Sequence, residues 1–188
     1  MKPRFSWLLL AILSIGCSDP GEYARFDATP LDALPACADQ PFPMELSLLS
    51  AQQRAGSLGI FLRTAPDITA RSDLFYFEFY QPEEIVAGEE IQIDPLSSFA
   101  TGKLNFFSSC PFEQDTFSLE GTLRFDSFSI DHPGVISGEF YDGRAIYSRT
   151  GELAIDEIQG SWRFLVRRGP PYEEFYALPE RPTSDESN

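Results

Sequence analysis

Gly121-Thr122-Leu123-Arg124-Phe125-Asp126-Ser127-Phe128 and, thirty residues on, Gly151-Glu152-Leu153-Ala154-Ile155-Asp156-Glu157-Ile158 decide the fold class of this chain. Both open on Gly-x-Leu-x-apolar, an alternation of period two, which is the signature of a strand with one buried face. In both, the apolar phase is odd as far as position 125 or 155 and even from 128 or 158. A strand keeps one face buried through such a change only by slipping one residue, so a β-bulge or tight bend is expected at Asp126 and at Asp156. The even phase then runs on through Trp162, Phe164 and Val166, and Ile136-Ser137-Gly138-Glu139-Phe140 echoes Ile158-Gln159-Gly160-Ser161-Trp162. Long, bent antiparallel strands are expected, joined by hairpins such as Tyr141-Asp142-Gly143-Arg144, where Asp-Gly is a strong two-residue turn signal.

The same opening recurs at Gly56-Ser57-Leu58-Gly59-Ile60 and Gly102-Lys103-Leu104-Asn105-Phe106, read as turn glycines that each start a strand. The spacings are irregular, which excludes a solenoid. Met44–Leu49, Leu58–Arg63, the aromatic run Leu74–Tyr80 and Glu90–Ile93 add further strands, with turns at Pro82-Glu83-Glu84 and Ala87-Gly88-Glu89. No window holds an apolar stripe of helical period, leaving at most a short helix near Ser50–Ala55 or Pro95–Ala100. The expected fold is all-β: an antiparallel sandwich or open barrel of about eight to ten strands.

Upstream, Lys2 and Arg4 precede an apolar run, Trp7–Ile15, too short for the roughly 20 residues of a spanning helix. That is the shape of a secretory leader. It ends in Leu13-Ser14-Ile15-Gly16-Cys17, which resembles the lipobox of bacterial lipoproteins, although Ser14 stands where that motif most often has Leu. The resemblance covers residues 1 to 17. It implies cleavage before Cys17 and lipidation of that residue with diacylglycerol and an acyl chain such as palmitate; ordinary cleavage near Gly16 is the alternative. Several buried chains, at about 0.8 kcal/mol per CH₂, hold a protein on a bilayer nearly permanently. Ser18 after the cysteine resembles the outer-membrane class, so the expected address is the cell envelope, with the outer membrane ahead of the inner.

Residues 17–40, with Pro20, Pro30 and Pro35, read as a flexible tether reaching roughly 25 Å. Residues 41–178 read as the β domain and 179–188 as a disordered tail, with Tyr172, Phe175 and Tyr176 expected to fold back on the core. Losing the leader takes the formal net charge from −15 to −17, which repels nucleic-acid phosphates. Cys37 and Cys110 are then the two cysteines left in an exported chain, and a disulfide between them is expected, two buried thiols being the alternative. In the chain-entropy model such a long loop contributes roughly 4 kcal/mol.

No catalytic residue, metal site or cofactor is assigned. His132, the single histidine, sits before Pro133-Gly134 in a loop, and without a Gly-x-Ser-x-Gly turn it does not make a triad. Glu78 interrupts an aromatic strand and is placed on the solvent face with Tyr76 and Tyr80. Asp126, Asp131, Glu139 and Asp142 are the acids that would serve calcium, but they lack any ligand spacing. Asp126 and Asp156 are read instead as bulge residues bonding local backbone N–H groups. Gly160-Ser161-Trp162 is similar to the Gly-x-Trp of lipocalins, though in the last strand rather than the first. Arg163, Arg167 and Arg168 form the only basic cluster, read as offsetting the acidic surface. The expected role is a non-enzymatic binding or structural module with a protein or carbohydrate ligand; the alternative is a carboxylate- or calcium-dependent hydrolase.

Overall fold

The structure, a computed structural model, describes residues 21–30, 42–54, 56–64, 73–106, 116–131 and 133–166. It is all-β with one turn of 3-10 helix at Pro82–Glu84. The ten strands are β1 Tyr23–Pro30, β2 Met44–Leu46, β3 Leu48–Arg54, β4 Ser57–Arg63, β5 Asp73–Phe79, β6 Glu90–Ile93, β7 Ala100–Phe106, β8 Thr116–Phe128, β9 Val135–Tyr147 and β10 Leu153–Leu165. Every pairing is antiparallel, in the order β2-β1-β10-β9-β8-β7-β5-β4-β3, with β6 on β8.

The two ends of that order are one run of chain. β2 and β3 are separated by Ser47 alone, and the Ser47 N–H already donates to the Arg63 carbonyl at 2.7 Å. Met44–Leu46 pairs with β1 and Leu48–Arg54 with β4, so the sheet curls into a nearly closed barrel. Curling in this way shortens the free sheet edge, the kind of edge at which chains otherwise aggregate, to the margins of β2 and β3 among the described residues. A second partner change lies across the barrel: β6 pairs with Gly121–Arg124 of β8, while β7 pairs with Thr116–Leu119 of β8 and along all of β5.

The two phase changes are real slips. Between Phe125↔Gly138 and Ser127↔Ser137, Asp126 is an extra residue in β8. Between Ile155↔Ala145 and Ile158↔Gly143, Asp156 and Glu157 face a single residue of β9; Glu157 takes a φ of 53°, and the Asp156 carboxylate accepts its N–H at 3.0 Å. Bulges bend the strand and tighten its twist, as closing a barrel of 13-residue strands requires.

Four expectations are corrected. Tyr141-Asp142-Gly143-Arg144 is not a hairpin but the middle of β9: Asp142, with a φ of 51°, and Gly143 face Gly121 alone across the β8 ladder. The left-handed conformation that Asp-Gly favours serves a bulge as well as it serves a turn. Residues 23–30, assigned to the tether, are β1, because Ala24 and Phe26 alternate with exposed Arg25 and Asp27 and pair along β10. Ser50–Ala55 is no helix, since β3 runs to Arg54, and Pro95–Ala100 is a turn leading into β7. Gly56 and Gly151 are turn glycines with positive φ, but Gly102 and Gly121 lie inside β7 and β8.

Aromatic rings fill the interior. Phe26 stacks on Phe75 with centroids 3.9 Å apart and lies 6.0 Å from Trp162, which in turn stacks near Phe77 at 5.7 Å. Phe77 meets Phe140, and Phe125 meets Phe79, Phe128 and Trp162. Each such side chain, taken from water to full burial, stabilises the fold by about 1.5–3 kcal/mol. Glycines make room for the rings: a Cβ on Gly160 would fall 2.5 Å from Cγ of Phe26, and one on Gly121 would fall 2.7 Å from Cζ of Phe140. The Trp162 indole N–H, fully buried, has no hydrogen-bond partner.

Candidate functional site

The inner faces converge on rings, and the outer faces form two unlike walls that meet at the two partner changes. The wall of β6, β8, β9, β10, β1 and β2 is polar. Its register aligns Glu90, Arg124, Glu139, Ser161, Arg25 and Glu45 in one row across six strands, with the sign alternating between neighbours except at Ser161. Arg124 and Glu139 pair at 2.6 Å, and Arg25 and Glu45 approach at 3.9 Å. Next to this row, the Tyr141 hydroxyl donates to Glu90 at 2.7 Å, Gln92 donates to Thr122 at 3.2 Å, and Arg144 pairs with Glu120 at 2.8 Å. The Glu90 carboxylate accepting that bond holds the Tyr141 phenol above the ordinary tyrosine range, since ionisation would both break the bond and set two anions side by side. Exposed ion pairs of this kind contribute at most about 1 kcal/mol each, so the row adds little to stability.

The wall of β3, β4, β5 and β7 is different. Its outward rows are Leu48-Arg63-Leu74-Asn105 and Ser50-Phe61-Tyr76-Lys103. Phe61, Leu74 and Tyr76 form an apolar cluster separate from the interior core, with the Phe61 and Tyr76 rings 4.8 Å apart. Tyr76 lies over Gly59, where a Cβ would fall 2.9 Å from its ring. All three are buried, at 2%, 8% and 6% exposure, and so is the outward Arg63 at 4%. Tyr76, expected on the solvent face with Glu78, is therefore covered; Glu78 itself is half-buried on that outer face, accepting from the Tyr80 hydroxyl at 3.4 Å.

The other sequence candidates stand apart. Asp126, Asp131 and Asp142 are exposed in different turns and bulges, and Glu139 is held by Arg124. Among the described residues no group of three or more His, Cys, Asp or Glu side chains converges to hold a metal ion. Trp162 is a core residue of the last strand, and Arg163 lies on the polar wall opposite Tyr23. Cys17, Cys37, Cys110, His132, Arg167, Arg168, Tyr172, Phe175 and Tyr176 fall outside the described residues. No described helix is long and apolar enough to cross a membrane. The wall of Phe61 and Tyr76 was missed from sequence; its signal was the absence of any polar position from Leu58 to Leu62 and the single charge within Leu74–Tyr80. Comparison with protein-family models, curated proteins and solved structures finds no match to this chain.

Proposed function

We propose that this is a lipid-anchored envelope protein that works by binding a protein or carbohydrate of the envelope, not by catalysis. The observation that carries the reading is the aromatic interior. Phe26, Phe75, Phe77, Phe125, Phe140 and Trp162 are fully buried and in ring contact, so the barrel centre is committed to stability and recognition falls to the outer walls. The leader and Cys17 support the anchor, which sets the domain against a bilayer or cell wall.

The reading includes the Cys37–Cys110 disulfide. Its support is the edge-to-face contact of Phe42 with Phe106, centroids 6.4 Å apart. Cys37 precedes Phe42 by five residues and Cys110 follows Phe106 by four, spans short enough to reach the roughly 4.4–6.8 Å between Cα atoms that a disulfide needs.

The test is co-sedimentation of the purified mature domain with isolated outer-membrane and cell-wall fractions. Saturable binding is expected, weakened when Arg124 and Glu139 are both replaced by Gln with the near-ultraviolet spectrum unchanged. Turnover of a glycan or ester substrate by the purified domain, lost on replacing acidic residues, would replace this reading with the hydrolase.

A further inference from the structure

The polar wall changes character toward one end. Two residues beyond the row of Glu139, Ser161 and Arg25, the outward positions are Ser137, Arg163 and Tyr23; two further on they are Val135 and Leu165, which pair directly. Five large apolar side chains are exposed among the described residues, and the register brings two of them, Tyr23 and Leu165, to this one corner. Diagonal neighbours of this kind lie roughly 7–8 Å apart across a ladder, within reach of an aromatic ring. Val135 is half-buried beside them. The Leu165 N–H, at the last position of β10, donates to the Glu22 carboxylate at 2.9 Å and so ties the end of β10 to the start of β1.

The same corner is the one nearest Cys17 along the chain. A tether over residues 17–40 would hold the domain roughly 25 Å off the bilayer, but β1 already begins at Tyr23. Four residue steps join Cys17 to Gly21, at most about 14 Å of chain in any conformation. The headgroup layer of one leaflet is roughly 5–8 Å deep, half the difference between a whole bilayer and its hydrocarbon core. A chain anchored at Cys17 therefore keeps Tyr23 and Leu165 within reach of the interface.

We infer that the corner of Tyr23, Val135 and Leu165 is the surface that the domain lays on the bilayer, an assignment that rests on the lipid anchor proposed above. Tyrosine suits such a place, with its ring toward the acyl chains and its hydroxyl in water. Arg163, directly across from Tyr23, brings a cation to the level of the lipid phosphates. Asp131, exposed in the turn between β8 and β9, sets the depth: its carboxylate stays among hydrated headgroups, so the contact is interfacial. The row of Glu139, Ser161 and Arg25 stands up to about 7 Å further from the bilayer, two residues of strand, and faces the aqueous side.

The experiment uses the full mature chain, lipidated at Cys17 and reconstituted into vesicles of phosphatidylethanolamine and phosphatidylglycerol. Three variants are compared: Tyr23→Trp, Leu165→Trp and, exposed at the opposite end of β10, Leu153→Trp. Trp162, fully buried, is a background common to all three. Flotation on a density gradient reads the anchor, and quenching by lipids brominated near the headgroup end of the acyl chains reads the corner. All three variants are expected to float; emission from positions 23 and 165 shifts to the blue and is lost to the brominated lipid, while that from position 153 is not. A chain that fails to float removes the anchor, and this assignment with it. A chain that floats with equal quenching at 153 and 165, or with none at 23 and 165, keeps the anchor and overturns the corner. A dimer of the detergent-dispersed chain that Leu165→Glu returns to monomer gives the corner to a second copy and overturns the assignment as well.

Discussion

Replacing Gly160 by Ala adds one methyl group at the point where β1 lies against β10. The new Cβ would fall 2.5 Å from Cγ and 2.7 Å from Cε1 of Phe26, well inside van der Waals contact. A flexible neighbour would swing away, but this ring is stacked on Phe75 at 3.9 Å on one side and runs nearly parallel to Trp162 on the other, so either β1 must lift or the stack must shear. Overpacking of this kind costs about 1–3 kcal/mol. With both partners fully buried, the upper half of that range is expected. For a domain of this length it lowers Tm by roughly 5–10 °C. The assay is urea denaturation followed by Trp fluorescence, run as a double-mutant cycle with Phe26→Leu, which shortens the ring that the methyl strikes. If the clash is the cause, Gly160→Ala costs about 1 kcal/mol less, or better, in the Phe26→Leu background than in the parent, a coupling well above the roughly 0.3–0.5 kcal/mol of independent sites. A cost below about 0.5 kcal/mol in the parent, or equal costs in both backgrounds, would refute the packing of Phe26 on Gly160, and with it the place of β1 in the barrel.

Three other outcomes are expected. In a spectrophotometric titration of the phenols, one tyrosine ionises above the usual value near 10, and Glu90→Gln abolishes the lag; because the folded pKa is raised, the associated stability is present below about pH 10 and fades as the pH passes the folded value. Cys17→Ser moves the protein from the membrane pellet to the soluble fraction after carbonate extraction, whereas continued sedimentation would remove the anchor. Alkylation without reductant leaves Cys37 and Cys110 unmodified, and adding reductant lowers stability by roughly 4 kcal/mol at most; free alkylation of both would show that no bridge forms.

Patterns carried by single strands were legible before any coordinates. The slips at Asp126 and Asp156 follow from apolar phase alone, because a reversal of phase has few structural solutions. Features that depend on which strand lies beside which were not. β1 hides among prolines because two of its inward residues, Ala24 and Ala28, are small, and only Phe26 signals burial. Asp142-Gly143 announces a positive φ without saying whether the chain reverses there, and the deciding fact is Gly121 on the neighbouring strand. The covered wall was illegible for the same reason. Phe61 and Tyr76 look like ordinary alternation in their own strands, and become a patch only when register sets them side by side.

That patch also bears on why the barrel has two kinds of outer wall. Closure fixes the inner face alone: any ring of strands with apolar residues inside closes equally well whether the outside is charged or not. On the polar wall the outward row is Glu90, Arg124, Glu139, Ser161, Arg25 and Glu45, which serves solvation and needs no cover. Across the partner changes the row becomes Leu48, Arg63, Leu74 and Asn105, with Phe61 and Tyr76 beside it. Left open, that wall would be a contiguous apolar patch of the sort that drives association. Buried as they are, Phe61, Leu74 and Tyr76 add apolar burial that the interior, already full of rings, does not supply. Phe61→Ser is therefore expected to lower the urea midpoint, at a cost of about 1.5–3 kcal/mol from the lost burial, and a midpoint equal to that of the parent chain would show that the outer cluster adds nothing to stability.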